Sequence, residues 1–558
     1  MNEDNQNPSQ NENPNQHPNP SENSNQNQYV DSNQNQTQYG SQNPYGNPNQ
    51  AQFGDQNIKP QKLKSKKLAV SIVSIAFVLL LAAGGAFAYF NMSKSPKDKL
   101  LMAELNSWGQ MKEVFETRYQ PELEWAKKAE TTPSEYTYDI GASVDGDFYS
   151  YEEMMAAEVI SNSLLSLDIQ MDPNKQVMKA SLGAEIQGVT IDPLSGYITT
   201  EKLMFGFPFT DDILQVKDED FGNFMKTVDP LYEGSEKLGL SDWMGKNSFL
   251  SEENMKYLQK EYLLHLYNSI PAEAFTESEE EIEVFGETLK ATKISMDLSG
   301  EQLKEITLNV FNKAKNDSKF KDIVIETLEN ATGAVGTLEE DYDFDMDEVL
   351  NTMIEELENT DIPNGIKYSV WINSDVIVQS ELEIGDFIME GTRLFTENTQ
   401  EWDYKFDNGY EEYLYFQGEL SYENGKIKDY ITMNDDYGNG LIYEGSEEVN
   451  GGERTFDRTL SIEEYDEVGF EFNWNGESSY EADKMNAEHH FGFWTYDFDF
   501  ELTMDETGTF IKSVDIPSDN IVDLGAMSSD EINRYMEEEF IVDAQEWFMN
   551  LVFELGIY

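Results

Sequence analysis

The chain has 558 residues, no cysteine, and 108 Asp plus Glu against 38 Lys plus Arg, which gives a formal net charge of −70. So negative a chain repels the phosphate backbone, which argues against DNA or RNA as a partner. The absence of cysteine excludes disulfides, thiolate zinc sites, iron–sulfur clusters and cysteine nucleophiles.

The first segment, residues 1–57, is rich in Asn, Gln, Pro and Ser and almost devoid of aliphatic side chains. Such a composition buries too little apolar area to offset the entropy of chain ordering, so the sequence predicts a disordered tail. A self-associating low-complexity segment is the alternative. The segment 58–67 follows with five lysines and predicts a basic juxtamembrane region.

The run 68–90 contains no charged residue. At about 1.5 Å per residue it spans roughly 34 Å as a helix, against about 30 Å for the hydrocarbon core of a bilayer. We therefore expect one transmembrane helix and a single-pass cell-membrane protein. More lysines precede the run than follow it, which places the N-terminus in the cytoplasm and the C-terminal domain outside the cell. Ala86-Phe87-Ala88 resembles a cleavage site, but the length of the run favours an uncleaved signal-anchor.

Residues 98–337 are predicted to form a mixed α/β extracytoplasmic module. Ser95 followed by Pro96 is a typical helix start. The helix that follows is amphipathic, with apolar residues three or four positions apart, and we expect it to pack under the domain. These apolar residues are Leu101, Leu105, Trp108, Met111, Phe115 and Tyr119. Alternation within 164–216 predicts a β-meander, and the S-G-E-Q sequence at Ser299 predicts a capping box.

Residues 338–558 are predicted to form a second, β-rich extracytoplasmic module that ends in a helix. The acidic segment 338–348 marks the expected boundary. Six Asn-Gly dipeptides lie between 364 and 476, and each accepts the positive φ values of a type I′ hairpin turn. A capping box at Ser528 opens the closing helix. The predicted fold class is therefore α+β, with one transmembrane helix and with antiparallel β-meanders and covering helices outside the membrane.

The acidic boundary segment contains a candidate calcium site at four alternate aspartates. These are Asp341, Asp343, Asp345 and Asp347. The segment fails as an EF-hand loop, because Met346 stands where the loop needs glycine and Thr352 where it needs a bidentate glutamate. A calcium site of another kind and a solvated acidic loop both remain open. No other metal and no cofactor is predicted.

The histidines form no catalytic or metal centre in the sequence. His489 and His490 are adjacent, so on a strand they point to opposite faces, and His265 lies in an apolar helical pattern. No zinc-protease, phosphate-binding-loop or serine-hydrolase motif occurs. Carboxylate pairs arise everywhere by chance among the 101 acids of residues 101–558, so they do not indicate a glycosidase. We therefore predict no catalytic residues and no enzymatic activity.

The tail, the lysine-rich segment and the apolar run are followed by the segments SPKDKLL, SGEQLKEI and DIPSDNIVDLGAMSSDEI. This order resembles uncharacterised families of Gram-positive, membrane-anchored proteins. The resemblance implies a surface protein and supplies no functional residues. Some such proteins carry an N-terminal zinc ribbon, which this chain lacks because it has no cysteine.

These observations favour a membrane-anchored surface protein with a non-enzymatic interaction or envelope-associated role. Its predicted partner is the membrane, which it reaches through one helix. A first alternative is a module that binds an apolar or lipid-like ligand in a sheet-lined cavity, since the pattern is loosely similar to lipoprotein-carrier half-barrels. A second alternative is a cell-wall carbohydrate-active enzyme. A deep apolar cavity would favour the first alternative, and two carboxylates about 5–10 Å apart in a cleft would favour the second.

Overall fold

The structure is a computed structural model that describes residues 95–556 except for nine positions or short segments. These are 147, 149, 234–235, 246–250, 334–344, 363, 410–412, 466 and 496–497. The predicted disordered tail, the basic segment and the apolar run all precede residue 95, and so they lie outside the described residues.

Short and medium-length helices separate groups of strands in the described chain. The α-helices are α1 Pro96–Arg118, α2 Gln120–Ala129, α3 Tyr151–Ser161, α4 Phe221–Val228, α5 Leu240–Gly245, α6 Glu252–Leu258, α7 Leu264–Ser269, α8 Gly300–Lys315, α9 Ser318–Gly333, α10 Met346–Asn359, α11 Ser529–Tyr535 and α12 Ile541–Glu554. Helix α1 begins as predicted, because the Ser95 hydroxyl accepts a hydrogen bond from the backbone of Asp98 and Pro96 opens the first turn.

Strands contribute more residues to the described chain than helices do. They are β1 Ser134–Gly146, β2 Ser163–Asp172, β3 Val177–Ile186, β4 Val189–Thr199, β5 Lys202–Gly206, β6 Ile213–Lys217, β7 Phe275–Val284, β8 Glu287–Leu298, β9 Ile366–Asn373, β10 Val376–Ile384, β11 Phe387–Phe395, β12 Thr399–Asp407, β13 Tyr413–Glu423, β14 Lys426–Asp435, β15 Gly440–Asn450, β16 Glu453–Glu464, β17 Glu467–Tyr480, β18 Lys484–Thr495, β19 Phe498–Phe510 and β20 Ile521–Asp523.

All twenty described strands belong to one sheet. From β7 to β19 each strand pairs antiparallel with the next strand in the chain, and β1 to β6 do the same. The two runs are joined because β1 pairs with β19, with Ser134 opposite Phe510. Strand β20 adds to the second run by pairing parallel with β6. The order therefore begins at β7 and ends at β20.

This architecture corrects the predicted fold class. The sequence predicted an α+β protein on one spanning helix, whereas the described chain is built on a single twenty-stranded sheet. The run 68–90 lies outside the described residues, and within the described part no helix is both long and apolar enough to cross a bilayer. The single-span fold class is therefore wrong. The membrane partner reached through one helix, the signal-anchor and the single-pass localisation that were predicted with it are withdrawn.

The sheet also runs across the predicted boundary between two modules. The pairing of β8 with β9 joins a strand of 98–337 to a strand of 338–558, and the pairing of β1 with β19 does so a second time. All described residues belong to one compact unit. Most of the boundary segment itself, residues 338–344, lies outside the described residues.

Several local sequence signals predicted element ends correctly. The capping boxes at Ser299 and Ser528 both form, at the starts of α8 and α11. The pair Asn424-Gly425 has positive φ at both residues, as a type I′ turn requires. The pair that begins at Asn475, however, lies inside β17, so an Asn-Gly dipeptide alone does not identify a turn.

The two faces of the sheet differ in character between β12 and β19. One face carries apolar and aromatic side chains and is the face on which α1 and α2 lie, and we call it the helix face. The opposite face carries rows of carboxylates, with Glu477 directly across from Glu488 and Glu488 directly across from Asp505. We call this second face the acidic face.

Helices α1 and α2 lie across the strands, along one end of them. Asn106 donates a 3.0 Å hydrogen bond to the carbonyl of Asp375 in the β9–β10 turn. Gln110 donates one of 3.0 Å to the carbonyl of Phe395 at the end of β11, and Lys128 reaches the β17–β18 turn. At about 1.5 Å per residue the two helices measure roughly 50 Å, which matches the ten strand spacings of about 4.8 Å from β9 to β19. We call these strand ends the near end and the opposite ones the far end.

Candidate interaction surface

Two adjacent rows of apolar side chains cross the strands on the helix face. Directly opposed residues of paired strands lie on the same face, so the strand registers define these rows. The inner row consists of Trp402, Gly418, Ile431, Tyr443, Leu460, Phe472, Phe493 and Phe500. The outer row, two residues closer to the far end, consists of Tyr404, Phe416, Met433, Leu441, Ile462 and Phe470. We call the two rows together the apolar strip.

The outer row is exposed although its residues are apolar. Met433 is 42% exposed, Leu441 38% and Ile462 43%, and these three are direct neighbours on β14, β15 and β16. Among the described residues, the buried apolar clusters lie elsewhere, on β8 to β10 under α8 and on β6 under the C-terminal helices. Contiguous apolar surface that stays open to solvent marks interaction sites in soluble proteins.

The apolar strip has the dimensions of a single helix. It crosses eight strands, from β12 to β19, and seven spacings of about 4.8 Å give a length of roughly 34 Å. From the inner row at Ile431 to the end of β14 the width is about 14 Å at about 3.4 Å per residue. An α-helix of about 20 residues is roughly 30 Å long and 10 Å wide.

Exposed aromatic side chains of α1 border the strip on its near side. Asn106 and Gln110 fix one flank of the helix to the strand turns. Successive residues of an α-helix are about 100° apart around its axis, so Trp108 lies about 200° from Asn106 and from Gln110. Its side chain therefore points to the other flank of the helix, towards the strip. Trp108 is 50% exposed and Phe115 is 55% exposed. The helix packs on the sheet as predicted, with Leu101 7% exposed, but Trp108 and Phe115 stay open and extend the apolar surface.

Glycines opposite aromatic residues allow the rings of the strip to lie flat on the sheet. Gly418 is paired with Trp402, and a Cβ added to it would lie 2.1 Å from Cζ2 of that ring. Gly391 is paired with Tyr404, and its added Cβ would lie 2.3 Å from Cδ1. Each ring therefore covers the backbone of the neighbouring strand, an arrangement that only glycine permits at the covered position.

A buried charge network attaches the end of α1 to the sheet beside the strip. Arg118, at 5% exposure, donates to both carboxylate oxygens of Asp429 at 2.8 and 3.0 Å and to Gln400 at 3.1 Å. Paired guanidinium–carboxylate contacts of this kind fix orientation as well as position. The network therefore sets the height and direction of the helix that borders the strip.

The second half of this network is centred on a carboxylate with no solvent exposure. The side chain of Glu447 is 0% exposed and contacts two guanidinium groups, those of Arg454 and of Arg458, the latter at 2.7 Å. Arg454 also donates to Glu122 on α2 at 2.7 Å and to the backbone carbonyl of Arg118 at 2.5 Å. One arginine of the sheet thus holds both helices at their junction.

Apolar residues exposed on the acidic face stand singly among charges. Tyr430 lies directly between Glu419 and Glu444 in the strand registers. Trp494 lies between Glu471 and Asp499 in the same way. Because carboxylates flank these residues, the acidic face offers no continuous apolar surface. The apolar strip differs because its exposed apolar residues are direct neighbours of one another.

The candidate calcium residues are only partly covered by the structure. Asp341 and Asp343 lie outside the described residues. Asp345 caps α10, because its Oδ1 accepts hydrogen bonds from the backbone of Asp347 and of Glu348 at 2.8 and 3.1 Å. Asp347 forms an ion pair with Lys321 at 3.0 Å. Within the described part no group of three or more potential ligands could hold a metal ion, and the calcium site remains a prediction.

The histidines are separated as the sequence predicted. His489 lies on the helix face, where its Nδ1 accepts a 3.2 Å hydrogen bond from the indole of Trp474. His490 lies on the acidic face, with Nε2 2.9 Å from Glu488 and Nδ1 3.3 Å from Glu501. Neither histidine therefore belongs to a catalytic arrangement with the other.

The contacts of His490 predict a pH dependence. The hydrogen bond to Glu488, with a second one to Glu501, raises the pKa of His490 against the opposing effect of burial. Because the folded pKa is raised, the stabilisation is fully present below the unfolded value of about 6.5 and is lost as pH rises through the folded pKa. NMR titration of the His490 ring should give a midpoint above about 6.5, and Glu488→Gln should lower it. A midpoint at or below the ordinary value in the unsubstituted protein would contradict the assignment.

Two cavities of the described structure bear on the two alternative functions. An apolar cavity between α1, α7 and the ends of β7 and β8 holds about 50 Å³, whereas small-molecule sites are typically about 300–1,000 Å³. A cavity of about 510 Å³ near β16 to β19 is lined by several carboxylates, among them Asp505 and Glu506. Three carboxylates of this lining, Glu477, Glu488 and Asp505, are cross-strand neighbours on the acidic face, and no described aromatic side chain lines the cavity beside them.

Comparisons with known proteins give no relative for this chain. No family model and no curated protein matches the sequence. The P pilus usher PapC translocation pore aligns with 63% of this chain and 55% of its own, at 5% identity and a TM-score of 0.16, so the chain spans about half of its length. OccK9 (OpdG) of Pseudomonas aeruginosa aligns with 68% of this chain and 98% of its own, at 8% identity and a TM-score of 0.22. A BenF-like porin from Pseudomonas fluorescens Pf-5 gives the same coverages at 6% identity and 0.21.

TM-scores at this level establish no common fold, and the three alignments carry no information about function. They also do not bear on the resemblance to Gram-positive families, which stays a prediction. The function is therefore inferred from the surfaces of the chain itself.

The residues of the apolar strip were not predicted from the sequence as a surface. Their signal was the alternation of apolar and charged residues in each strand from β13 to β17, such as Phe416 next to Gln417 and Leu441 two positions before Tyr443. Alternation shows that one face is apolar, but only the registers show that the apolar positions of six strands form continuous rows.

Proposed function

We propose that this protein is a non-enzymatic interaction protein whose apolar strip binds the apolar side of an elongated partner. The observation that carries this proposal is the unbroken outer row, in which Met433, Leu441 and Ile462 are neighbours on three strands and are each about two-fifths exposed. An exposed row of this kind gains free energy when a partner removes it from water.

The open form of the strip favours a macromolecular partner over a small ligand. Small-molecule sites enclose most of the ligand surface. The strip instead has a floor, formed by the two rows, and one wall along its near side, formed by the end of α1 with Phe115 and by α2. A floor and one wall match the helix-in-groove mode, in which an amphipathic helix lays its apolar side along a surface of its own length.

Binding of a neutral amphipathic peptide tests this proposal. The probe is a fluorescein-labelled helix of about 20 residues, long enough to cover the strip, with leucine on one side and glutamine on the other. We expect saturable binding to the full-length chain by fluorescence anisotropy. Replacing both Leu441 and Ile462 with serine should weaken binding at least about tenfold, because two apolar side chains worth roughly 1.5–3 kcal/mol each when buried are removed.

A matched control uses apolar residues of equal exposure on the acidic face. Trp494 is 37% exposed and Tyr430 46%, close to the values for Leu441 and Ile462. Replacing Tyr430 and Trp494 with serine should leave the affinity within about twofold, since they lie outside the strip. No binding of the peptide, or an equal loss in the control variant, would overturn the proposed function.

A further inference from the structure

The turns at the far end border the outer row and carry only one sign of charge. Five turns lie there, after β10, β12, β14, β16 and β18. Their described residues are 385–389, 407–409, 413, 435–440, 463–465, 467–468, 495 and 498–499, and this set, which we call the acidic rim, contains eight Asp plus Glu and no Lys or Arg. Ile462 and Met433 of the outer row are within two residues of it.

The turns at the near end, beside α1, differ in charge. Residues 373–376, 396–399, 423–426, 450–453 and 480–484 contain six Asp plus Glu and two Lys. One of these lysines, Lys426, pairs with Glu448 at 3.0 Å, and Lys128 of α2 pairs with Asp483 at 2.9 Å. The strip therefore has an acidic rim on one long side and a partly neutralised border on the other. This difference goes beyond the general acidity of the chain.

Exposed tyrosines in the acidic rim add a second feature that suits a cation. Tyr437 is 61% exposed and Tyr465 is 75% exposed. A cation over an aromatic ring is attracted by the electron density of the ring face. The rim already shows one such contact, because the ammonium group of Lys405 lies 3.9 Å from the ring centroid of Tyr413.

We propose that the partner of the apolar strip is a cationic amphipathic helix, with its apolar side on the two rows and its lysine or arginine side chains over the acidic rim. This inference rests on the proposed function and adds the charge of the partner to it. A helix about 10 Å wide that lies along the strip brings its flanking side chains to the far end, where Asp436 and Glu464 are exposed. Ion pairs at such a rim add specificity and speed association.

The same charges exclude a second copy of this chain as the occupant. Two strips facing each other with their far ends aligned would bring two acidic rims together, and each rim carries eight described carboxylates without a basic residue. Like charges placed against each other across an interface oppose association. Self-association through the strip is therefore not the use of this surface.

Three peptides of identical leucine pattern test the inference on the full-length chain at about 0.15 M salt. They carry glutamine, lysine or glutamate on the polar side. We expect the lysine peptide to bind about tenfold more tightly than the glutamine peptide and the glutamate peptide to bind more weakly than both. The advantage of the lysine peptide should shrink as salt rises, because ions screen the rim.

Charge-neutralising variants separate the rim from the general acidity of the protein. The rim variant combines Asp386→Asn, Asp436→Asn, Glu464→Gln and Glu467→Gln. The control variant removes the same number and kinds of exposed acids from the acidic face, and its changes are Glu419→Gln, Glu444→Gln, Asp457→Asn and Asp505→Asn. We expect the rim variant to lose most of the lysine advantage and keep its affinity for the glutamine peptide, and the control variant to keep both within about twofold.

The possible outcomes are distinct. Failure of all three peptides to bind overturns the proposed function. Equal binding of the lysine and glutamine peptides leaves the proposed function standing and overturns the cationic partner. An equal loss of the lysine advantage in the rim and control variants also overturns the inference, since it shows attraction by the net charge alone.

Discussion

Replacing Arg454 with alanine should lower the free energy of unfolding by about 3–5 kcal/mol, which is the effect of removing one partner from a buried ion pair. Arg454 is 4% exposed, and its loss leaves Glu447, which is completely buried, with one guanidinium group in place of two. It also removes the contacts to Glu122 and to the backbone of Arg118 that hold the helix junction. Chemical denaturation of the full-length chain measures the change.

The control for this prediction is an ion pair on the surface. Lys426 and Glu448 are 67% and 69% exposed and lie 3.0 Å apart, so Lys426→Ala should cost less than about 1 kcal/mol. A double change, Arg118→Met with Asp429→Leu, removes both partners of a buried pair and should cost less than Arg118→Met alone. If Arg454→Ala behaves like Lys426→Ala, the network does not hold the helices on the sheet.

Replacing Gly418 with alanine should destabilise the protein by about 1–3 kcal/mol, the usual effect of overpacking. The new methyl group would lie 2.1 Å from the indole of Trp402, which is 9% exposed and has little room to move. The indole must leave the face of the strand, so its fluorescence should also shift to longer wavelength. Thermal unfolding and tryptophan emission measure the two effects.

A glycine on another strand of the sheet provides the comparison. A Cβ added to Gly492 in β18 would meet only the Cβ of Asn473, at an ordinary distance of 3.5 Å. Gly492→Ala should therefore change stability by no more than about 0.5 kcal/mol. Adding Trp402→Leu to Gly418→Ala should recover part of the loss, because the smaller side chain makes room for the methyl group. Absence of any difference between the two glycines would contradict the flat-ring arrangement.

Local features of the fold could be predicted from the sequence because they depend on neighbouring residues. The start of α1 at Ser95 and the capping boxes at Ser299 and Ser528 each rest on contacts within four positions. Long-range pairing could not be predicted in this way. Nothing near Ser134 indicates that its partner across the sheet is Phe510, since strand pairing is decided by the whole set of competing registers.

The candidate surface was also beyond local reasoning, for two reasons. Trp108 and Phe115 follow the spacing of a buried helix stripe, yet the flank that carries them is open because Asn106 and Gln110 anchor the other flank. Charged residues such as Glu447 are normally solvated, and only the tertiary structure shows this one enclosed by arginines. In both cases the environment of a residue, which its own sequence neighbourhood does not contain, decides its role.

The pairing of β1 with β19 has a consequence for the synthesis of the chain. Gly146 at the end of β1 pairs with Phe498, so about 350 residues are made before that partner leaves the ribosome. At about 5–20 residues per second this takes roughly 20–70 s, during which one side of β1 has no strand to bond to. An unpaired strand edge is a template for pairing with other chains. The nascent chain is therefore most prone to aggregation before β19 emerges. Holdase chaperones that act in that interval should raise the yield of folded protein.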